Sequence, residues 1–280
     1  MRSKIQGLLR DLNIRPNKQL GQNFLVDEQI LEKIMEFAAI SESDNILEIG
    51  SGLGILTAEL LRFAGNVYGI EIDGTLTNYL KEKFKDSENF HLIHADILET
   101  ELPNYSKVVS NIPYSITGPL FEKVFFRKSP VPGILTIEKR LADRIFYETN
   151  YKNFSRITVS VNSFLKPVKR IKVPRTSFYP APKIPLSLIK LVPREHISPF
   201  LQDLESREFY LDFLAGIMPY KNKKISNALV YYSKTRDLSK TLNKKFILNL
   251  LKENDFPDKK LFMYSIDTFI KLAKQIYVYR

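Results

Sequence analysis

The tetrad Asn111-Ile112-Pro113-Tyr114 ends the apolar run Val108–Val109 with a side-chain amide, a rigid ring and an aromatic. Proline lacks a backbone donor and stops a strand. An amide, carbonyls and an aromatic face at one turn suit a flat, polar target, with Asn111 and Pro113 as acceptors and Tyr114 as a stacking surface. The exocyclic amine of adenine is such a target. It is a poor nucleophile because its lone pair is delocalised into the ring. Acceptors aimed at its hydrogens, the Asn111 side-chain oxygen with the Ile112 or Pro113 carbonyl, draw that pair out of conjugation while the base is held in line. The base must first be unstacked from its nucleic acid.

Upstream, "LEIGSGLG" (47–54) puts Gly50, Gly52 and Gly54 between a strand and a helix. Glycines there let the backbone turn sharply and approach a ligand. The spacing is not that of the dinucleotide fingerprint, and Glu48 would repel a pyrophosphate. Glu71, in "GIEID", ends the next strand, where a carboxylate accepts from both ribose hydroxyls. Asp96, in "HADIL", follows the third strand and is placed to accept from an adenine amino group. Three acidic residues at successive strand ends suit a ligand that contains adenosine and is cationic. S-adenosylmethionine, with its sulfonium and ammonium charges, fits. The competing expectation is that Glu71 and Asp96 are helix N-caps.

These residues need an α/β frame. Apolar runs at 45–50, 66–72, 90–95, 107–111 and 133–138 read as strands, and 55–64, 76–84 and 119–126 carry helical spacing between them. Two later runs, 167–173 and 186–192, flank a proline-rich loop and read as a hairpin that finishes the sheet. Beyond "VPRE" the apolar residues recur only at helical spacing. The expected architecture is a mostly parallel, Rossmann-like sheet with one antiparallel strand near its C-terminal end (1–194), followed by a small all-α domain (195–280).

The 280 residues carry a formal charge of +11 and no cysteine, which excludes disulfides and thiolate metal sites. Three scattered histidines argue against zinc, so no metal is expected. The N-terminus lacks the apolar core of a secretory signal and no run is long enough to span a bilayer, so the expected compartment is cytoplasmic. Between Thr149 and Arg194 there is no Asp or Glu but there are ten Lys and Arg residues, interleaved with aromatics and prolines. That pattern resembles a phosphate-binding footprint, with Lys169, Arg170 and Arg175 as candidate RNA contacts. In the tail, Lys221, Lys223 and Lys224 are further candidates, and a monomer is the simplest expectation. A small-molecule methyltransferase would have no use for such a stretch.

Taken together the motifs resemble the ribosomal RNA adenine N6,N6-dimethyltransferase family, of the small-subunit (kasugamycin-susceptibility) type, over nearly the whole chain. The resemblance implies a class I methyltransferase fold and S-adenosylmethionine as cofactor. Its reaction is dimethylation of adenine N6 in small-subunit ribosomal RNA, at two adjacent adenines near the RNA 3′ end. "LGQNFLVD" (20–27) matches the family's N-terminal motif and implies cofactor contacts at Gln22, Asn23 and Leu25. The later motifs imply contacts at Gly50, Gly52, Glu71, Ile72, Asp96, Ile97 and Asn111. "SFYPAPK" (177–183) implies that Phe178 sandwiches the target base opposite Tyr114. The chain departs from the family where Pro185 and Leu186 replace a polar residue and Ser, and where Ser115 replaces Asn. Two alternatives stand beside this reading: the large-subunit adenine methylase of macrolide resistance, and a non-catalytic methyltransferase-fold RNA- or DNA-binding factor. The "RPNKQL" lead-in and "YKNKKISNAL" (220–229) favour the small-subunit type.

Overall fold

The computed structural model describes residues 1–17, 19–113, 116–147 and 152–279. In chain order the elements are α1 (Arg2–Asp11), β1 (Phe24–Leu25), α2 (Glu28–Ala38), β2 (Asn45–Ile49), α3 (Ile55–Leu60), β3 (Asn66–Glu71), α4 (Gly74–Lys83), β4 (Phe90–His94), β5 (Lys107–Asn111), α5 (Thr117–Phe125), β6 (Gly133–Glu138), α6 (Lys139–Ile145), α7 (Arg156–Phe164), β7 (Leu165–Val173), β8 (Phe178–Tyr179) and β9 (Leu186–Pro193). Then follow α8 (Pro199–Gln202), α9 (Leu204–Ile217), α10 (Ile225–Thr235), α11 (Lys244–Glu253) and α12 (Ile266–Tyr277).

The first compact unit comprises residues 1–124, 131–142 and 167–193. Its seven-stranded sheet has the order β4-β3-β2-β5-β6-β9-β7. Strands β4, β3, β2, β5 and β6 are mutually parallel, and β9 runs antiparallel to β6. The central strands read as near-continuous apolar runs because helices cover both faces: Ile46, Leu47, Val108, Val109, Leu135 and Ile137 are at most 1% exposed. At the edge, β7 alternates buried ends with exposed Lys166, Lys169 and Lys172, charges that discourage pairing with another chain. The order of crossovers reverses between β2 and β5, so the loops leaving those two strands open a crevice where open sheets bind ligands. Leu186 starts β9 opposite Glu138, and the Pro185 carbonyl accepts from Lys139 N at 2.8 Å. The departure from the family motif at these two residues therefore leaves the last strand joined to the sheet.

Two short elements missed in the sequence tie the N-terminal stretch down. β1 pairs antiparallel with β8, Phe24 opposite Tyr179 and Leu25 opposite Phe178. Asp27 caps α2 by accepting from Gln29 N and Ile30 N, and its other oxygen accepts from Ser177 Oγ at 2.6 Å.

The second unit comprises residues 125–130, 143–166 and 194–280: its main stretch begins where expected, but two earlier segments, expected in the sheet domain, join it. Helix α7 is the reason. Val159, Val161, Ser163 and Phe164 on it are at most 1% exposed. Its partners include Tyr210 of α9, whose hydroxyl lies 2.7 Å from Ser163 Oγ, and Phe126, whose ring stacks on Phe164 at 4.9 Å. Arg194 closes the group: its N–H donates to the Phe164 carbonyl, its guanidinium donates to the Asn162 carbonyl, and it pairs with Asp267 of α12 at 2.9 Å. A stretch that reads in sequence as part of the sheet domain is thus built into the helical one.

A fragment ending at residue 194 keeps α7 but loses Tyr210 and α12. In such a fragment, segment 143–166 is expected to exchange its amide protons rapidly and to bind a hydrophobic dye. Protection equal to that of the full chain would place α7 with the sheet after all.

Candidate active site

The loops at the crevice form a cleft of about 260 Å³. Its lining includes Gln22, Asn23, Leu25, Gly50, Gly52, Glu71, Ile72, Asp96, Ile97, Asn111 and Pro113. Residues spread over ninety positions of sequence are therefore gathered at one place. Glu48 lines it too, and no Lys, Arg or His stands among the described lining residues.

The glycine turn is built from left-handed backbone: Gly50, Gly52 and Gly54 have φ of +73°, +58° and +67°, a region that other residues avoid. The Phe24 ring lies 3.3 Å from where a Cβ on Gly52 would sit, and Phe84 lies 2.6 Å from one on Gly54. A side chain at Gly54 would meet the end of α4.

Each acidic residue is held differently. Glu48, 2% exposed, accepts from Ser51 Oγ at 2.8 Å and Thr57 Oγ1 at 2.6 Å. Burial pushes its pKa up to about 7, against the pull of those two hydroxyls. Glu71 accepts from Gly52 N at 2.9 Å and Asp73 N at 3.0 Å. Its pKa is also raised, by burial first, with the amides opposing. Each Glu71 oxygen retains a second lone pair for a ligand hydroxyl. Asp96 accepts from Leu98 N at 2.8 Å inside a turn. The helix-cap alternative is set aside: the N-cap of α4 is Asp73, and no helix follows Asp96. Asp73 also accepts from Gln22 Nε2 at 2.8 Å, which fastens the N-terminal stretch over the cleft.

Asn111 stands apart. Its Oδ1 is buried with no hydrogen-bond partner among the described residues, and Thr136 Oγ1, opposite it in the β5–β6 register, is likewise unpartnered. Such atoms are rare in folded proteins. The neighbouring acceptors are less available: the Pro113 carbonyl receives Thr117 Oγ1 at 3.4 Å.

Two expected roles are changed or lie elsewhere. Phe178 is 1% exposed, packed in the core with Leu25, Val173 and Leu188 and absent from the cleft lining. Pairing of β8 with β1 turns its ring inward, so it offers no stacking face in this structure. Tyr114, with Ser115, lies outside the described residues. Among the RNA candidates of the sheet unit, Lys169 Nζ sits 5.2 Å over the Phe37 ring. Arg170 donates to the Lys139 carbonyl, and Arg175 donates to the Lys183 carbonyl at 3.1 Å. In the helical unit Lys221 Nζ donates to the Phe154 carbonyl at 2.6 Å, which makes it a structural tie. Lys224 lies 3.8 Å from Asp258, and Lys223 is exposed.

Sequence reading missed Ser51, Thr57 and Asp73. Ser51 and Thr57 read as polar interruptions of an apolar helix start, and only their contact with Glu48 explains them. A usable signal was available at Gly69, whose Cβ would lie 2.6 Å from Ser51 Oγ: a glycine inside a strand marks a close approach.

Comparison with known proteins agrees with this geometry. The family described as "Ribosomal RNA adenine dimethylase" matches residues 13–264. "Ribosomal RNA small subunit methyltransferase A" of Borrelia garinii subsp. bavariensis is 32% identical over 280 residues, covering 99% of this chain and 94% of that protein. "Probable ribosomal RNA small subunit methyltransferase A" of Methanococcoides burtonii is 38% identical over 209 residues, 75% of this chain and 76% of that one. Among solved structures, a dimethyladenosine transferase from Plasmodium falciparum superposes with a TM-score of 0.76 at 29% identity, covering 91% of this chain and 98% of that chain.

The raised Glu48 pKa has a consequence for stability. The folded state holds this proton more tightly than the unfolded one, so Glu48 contributes stability below about pH 4.5 that is lost as pH rises toward about 7. Glu48→Gln is expected to flatten that part of the profile, whose slope is at most about 1.4 kcal/mol per pH unit. Urea midpoints at pH 5 and pH 8 test it. The variant should gain on the native chain more at pH 8 than at pH 5, and an equal difference at both would refute the assignment.

Proposed function

The chain belongs to the ribosomal RNA adenine dimethylase family, and we propose that it dimethylates adenine N6 in small-subunit ribosomal RNA with S-adenosylmethionine. The observation that carries this reading is the unpartnered Asn111 Oδ1 in the wall of an acidic cleft. The cleft fits the cofactor on its own chemistry. Glu71 can take ribose hydroxyls, Asp96 has an oxygen beyond the one used by Leu98 N, and Ile72, 46% exposed, offers an apolar surface. With acids and no cation among its described lining, the cleft favours a positively charged ligand over a phosphorylated one.

Bound there, S-adenosylmethionine supplies a methyl group carried on a positive sulfur. The chain's own work is to present the amine. Asn111 Oδ1 accepts an N6 hydrogen, localises the nitrogen lone pair and fixes the direction in which it points. No dedicated base is needed, because a nitrogen that has gained a fourth bond is acidic enough to lose its proton to water. Holding the base requires that it leave its stack, so the substrate presents an unpaired or extruded adenine.

The names of the curated relatives support small-subunit RNA as the substrate over large-subunit RNA. The enzyme acts as a cytoplasmic monomer on an assembling particle in this proposal, with Lys223 and Lys224 meeting phosphates. The test is transfer of labelled methyl to unmethylated small-subunit particles, with naked large-subunit RNA in parallel and nucleosides mapped in both. Dimethyladenine confined to the small-subunit RNA is expected. Label in large-subunit RNA would make this a resistance-type methylase, and binding without label would leave a silent RNA-binding factor.

Two substitutions refine the reading. Asn111→Ala is expected to lower kcat by about 10²- to 10³-fold, the range for loss of one oriented polar partner at a reacting centre. Its affinity for S-adenosylmethionine, measured by calorimetry, should change far less. Near-native turnover would remove Asn111 from the mechanism. Reversing Lys223 and Lys224 together to Glu should reduce the slope of log affinity against log salt by about 1.4 for single-stranded contacts, at roughly 0.7 per phosphate. An unchanged slope would move the phosphate contacts elsewhere.

A further inference from the structure

The helical unit contains a concentration of positive charge that its own side chains only partly answer: Lys224 lies 3.8 Å from Asp258, and Lys259 Nζ lies 4.9 Å over the Tyr264 ring. Segment 221–224 is joined to segment 259–262 by backbone hydrogen bonds. Phe262 N donates to the Lys221 carbonyl, Leu261 N to the Lys223 carbonyl and Ile225 N to the Lys259 carbonyl, at 3.0–3.2 Å. Lys224 and Lys260 form a bridge. Paired backbones set Lys224 against Lys260 and bring Lys223 and Lys259 into the same two segments, with Asp258 an acidic group among them. Like charges set together destabilise a fold and persist where a polyanion neutralises them.

A stacked aromatic pair, half-buried Tyr220 and exposed Tyr231, adjoins these lysines. Tyr220 and Tyr231 stack with ring centres 4.5 Å apart and planes 15° from parallel. Tyr231 is 40% exposed, and Lys223 Nζ lies 6.0 Å from its ring centre. The support beneath is fixed before any ligand arrives. Lys221 Nζ is spent on the Phe154 carbonyl, Lys223 N donates to the Tyr220 carbonyl at 2.8 Å, and Tyr231 stands on α10. A rigid aromatic face at the edge of a lysine cluster is the arrangement that binds single-stranded nucleic acid, the base on the ring and the phosphates on the cations.

We propose that Tyr231, backed by Tyr220, is a stacking platform for an unpaired base of the RNA substrate, with the flanking phosphates on Lys223, Lys224 and Lys260. This rests on the RNA-methylase reading and adds to it a second point of contact, in the helical unit. The platform reads single-stranded character, since duplex bases are already stacked on one another.

The test is fluorescence anisotropy with a labelled single-stranded RNA dodecamer and a duplex of the same sequence, each over a range of KCl. Tyr231→Ala and Tyr231→Leu are expected to bind the single strand about 5- to 150-fold more weakly, the range for loss of one stacked base. Their salt slopes should match that of the native chain, because no phosphate contact is lost, and their duplex affinity should be unchanged. Tyr231→Phe keeps the ring and should bind as the native chain does. Lys260→Glu should instead lower the salt slope by about 0.7. Native affinity in both Tyr231→Ala and Tyr231→Leu would overturn the platform, as would equal losses on single strand and duplex. Tyr231→Leu retains apolar contact with Tyr220 and guards against loss of fold, which thermal melts would show directly. Methyl transfer by the native chain, run alongside, separates the two claims. Its absence defeats the RNA-methylase reading, whereas its presence with full affinity in the Tyr231 variants defeats the platform alone.

Discussion

Three carboxylates, Glu48, Glu71 and Asp96, converge on one cleft with no cation among its described lining, and the sheet unit is arranged around that convergence. Like charges gathered in a partly desolvated space oppose one another's ionisation. Each is therefore given neutral donors: two hydroxyls for Glu48, two backbone amides for Glu71 and one for Asp96. Positive charge is kept behind the loops rather than in the cleft. Lys83 Nζ donates to the Leu53 and Gly54 carbonyls at 2.7 and 3.1 Å, and Lys123 Nζ to the Leu98 carbonyl at 2.8 Å. These lysines pin the loops that carry the acids from outside the cleft; Lys83 also opposes the rise of the Glu48 pKa.

The same economy of parts appears in the helix caps. Asp27 and Asp73 each satisfy the first amides of a helix, as their sequence context requires. Each also has an oxygen that holds a distant segment, Ser177 for Asp27 and Gln22 for Asp73. The stretch from Gln22 to Asp27 is thereby fastened at both ends. Phe24 lies against the glycine turn at one point and pairs with Tyr179 at another. One short segment touches the cofactor loops and the proline-rich loop alike.

What could be read in advance follows from the range of the interactions involved. The central strands are legible because burial on both faces demands unbroken apolar runs, and Ile46–Leu47 and Val108–Val109 show it. The glycine turn and the strand-end acids are legible because strand periodicity fixes where a strand must stop. The burial of Phe178 is not legible because its orientation depends on pairing with Leu25, more than 150 positions away, and no local pattern reports a two-residue strand. Helix α7 was assigned to the sheet domain for a similar reason. Its burial depends on Tyr210 and Phe126, and its nearness in sequence to β7 points the other way. Lys221 looked like its neighbours Lys223 and Lys224 until the Phe154 carbonyl distinguished it.

Asn111 differs from the three acids in that its oxygen accepts from no described residue, and the choice of an amide there is informative. A buried oxygen left without a donor costs about 1–3 kcal/mol, so a donor that reaches Asn111 Oδ1 is held favourably. A carboxylate in its place would accept the same N6 hydrogen but would add a further acidic group to a cleft that already holds three, and would retain the ammonium form of the product. A neutral amide oxygen can only accept. Unmethylated adenine brings two N6 hydrogens and monomethyladenine one, so each can satisfy it. Dimethyladenine has none, and the oxygen is orphaned again once the second methyl is in place. In the proposed reaction, then, the acceptor that would draw the amine in would lose its donor once two methyls are in place, and the same oxygen would favour release of the base.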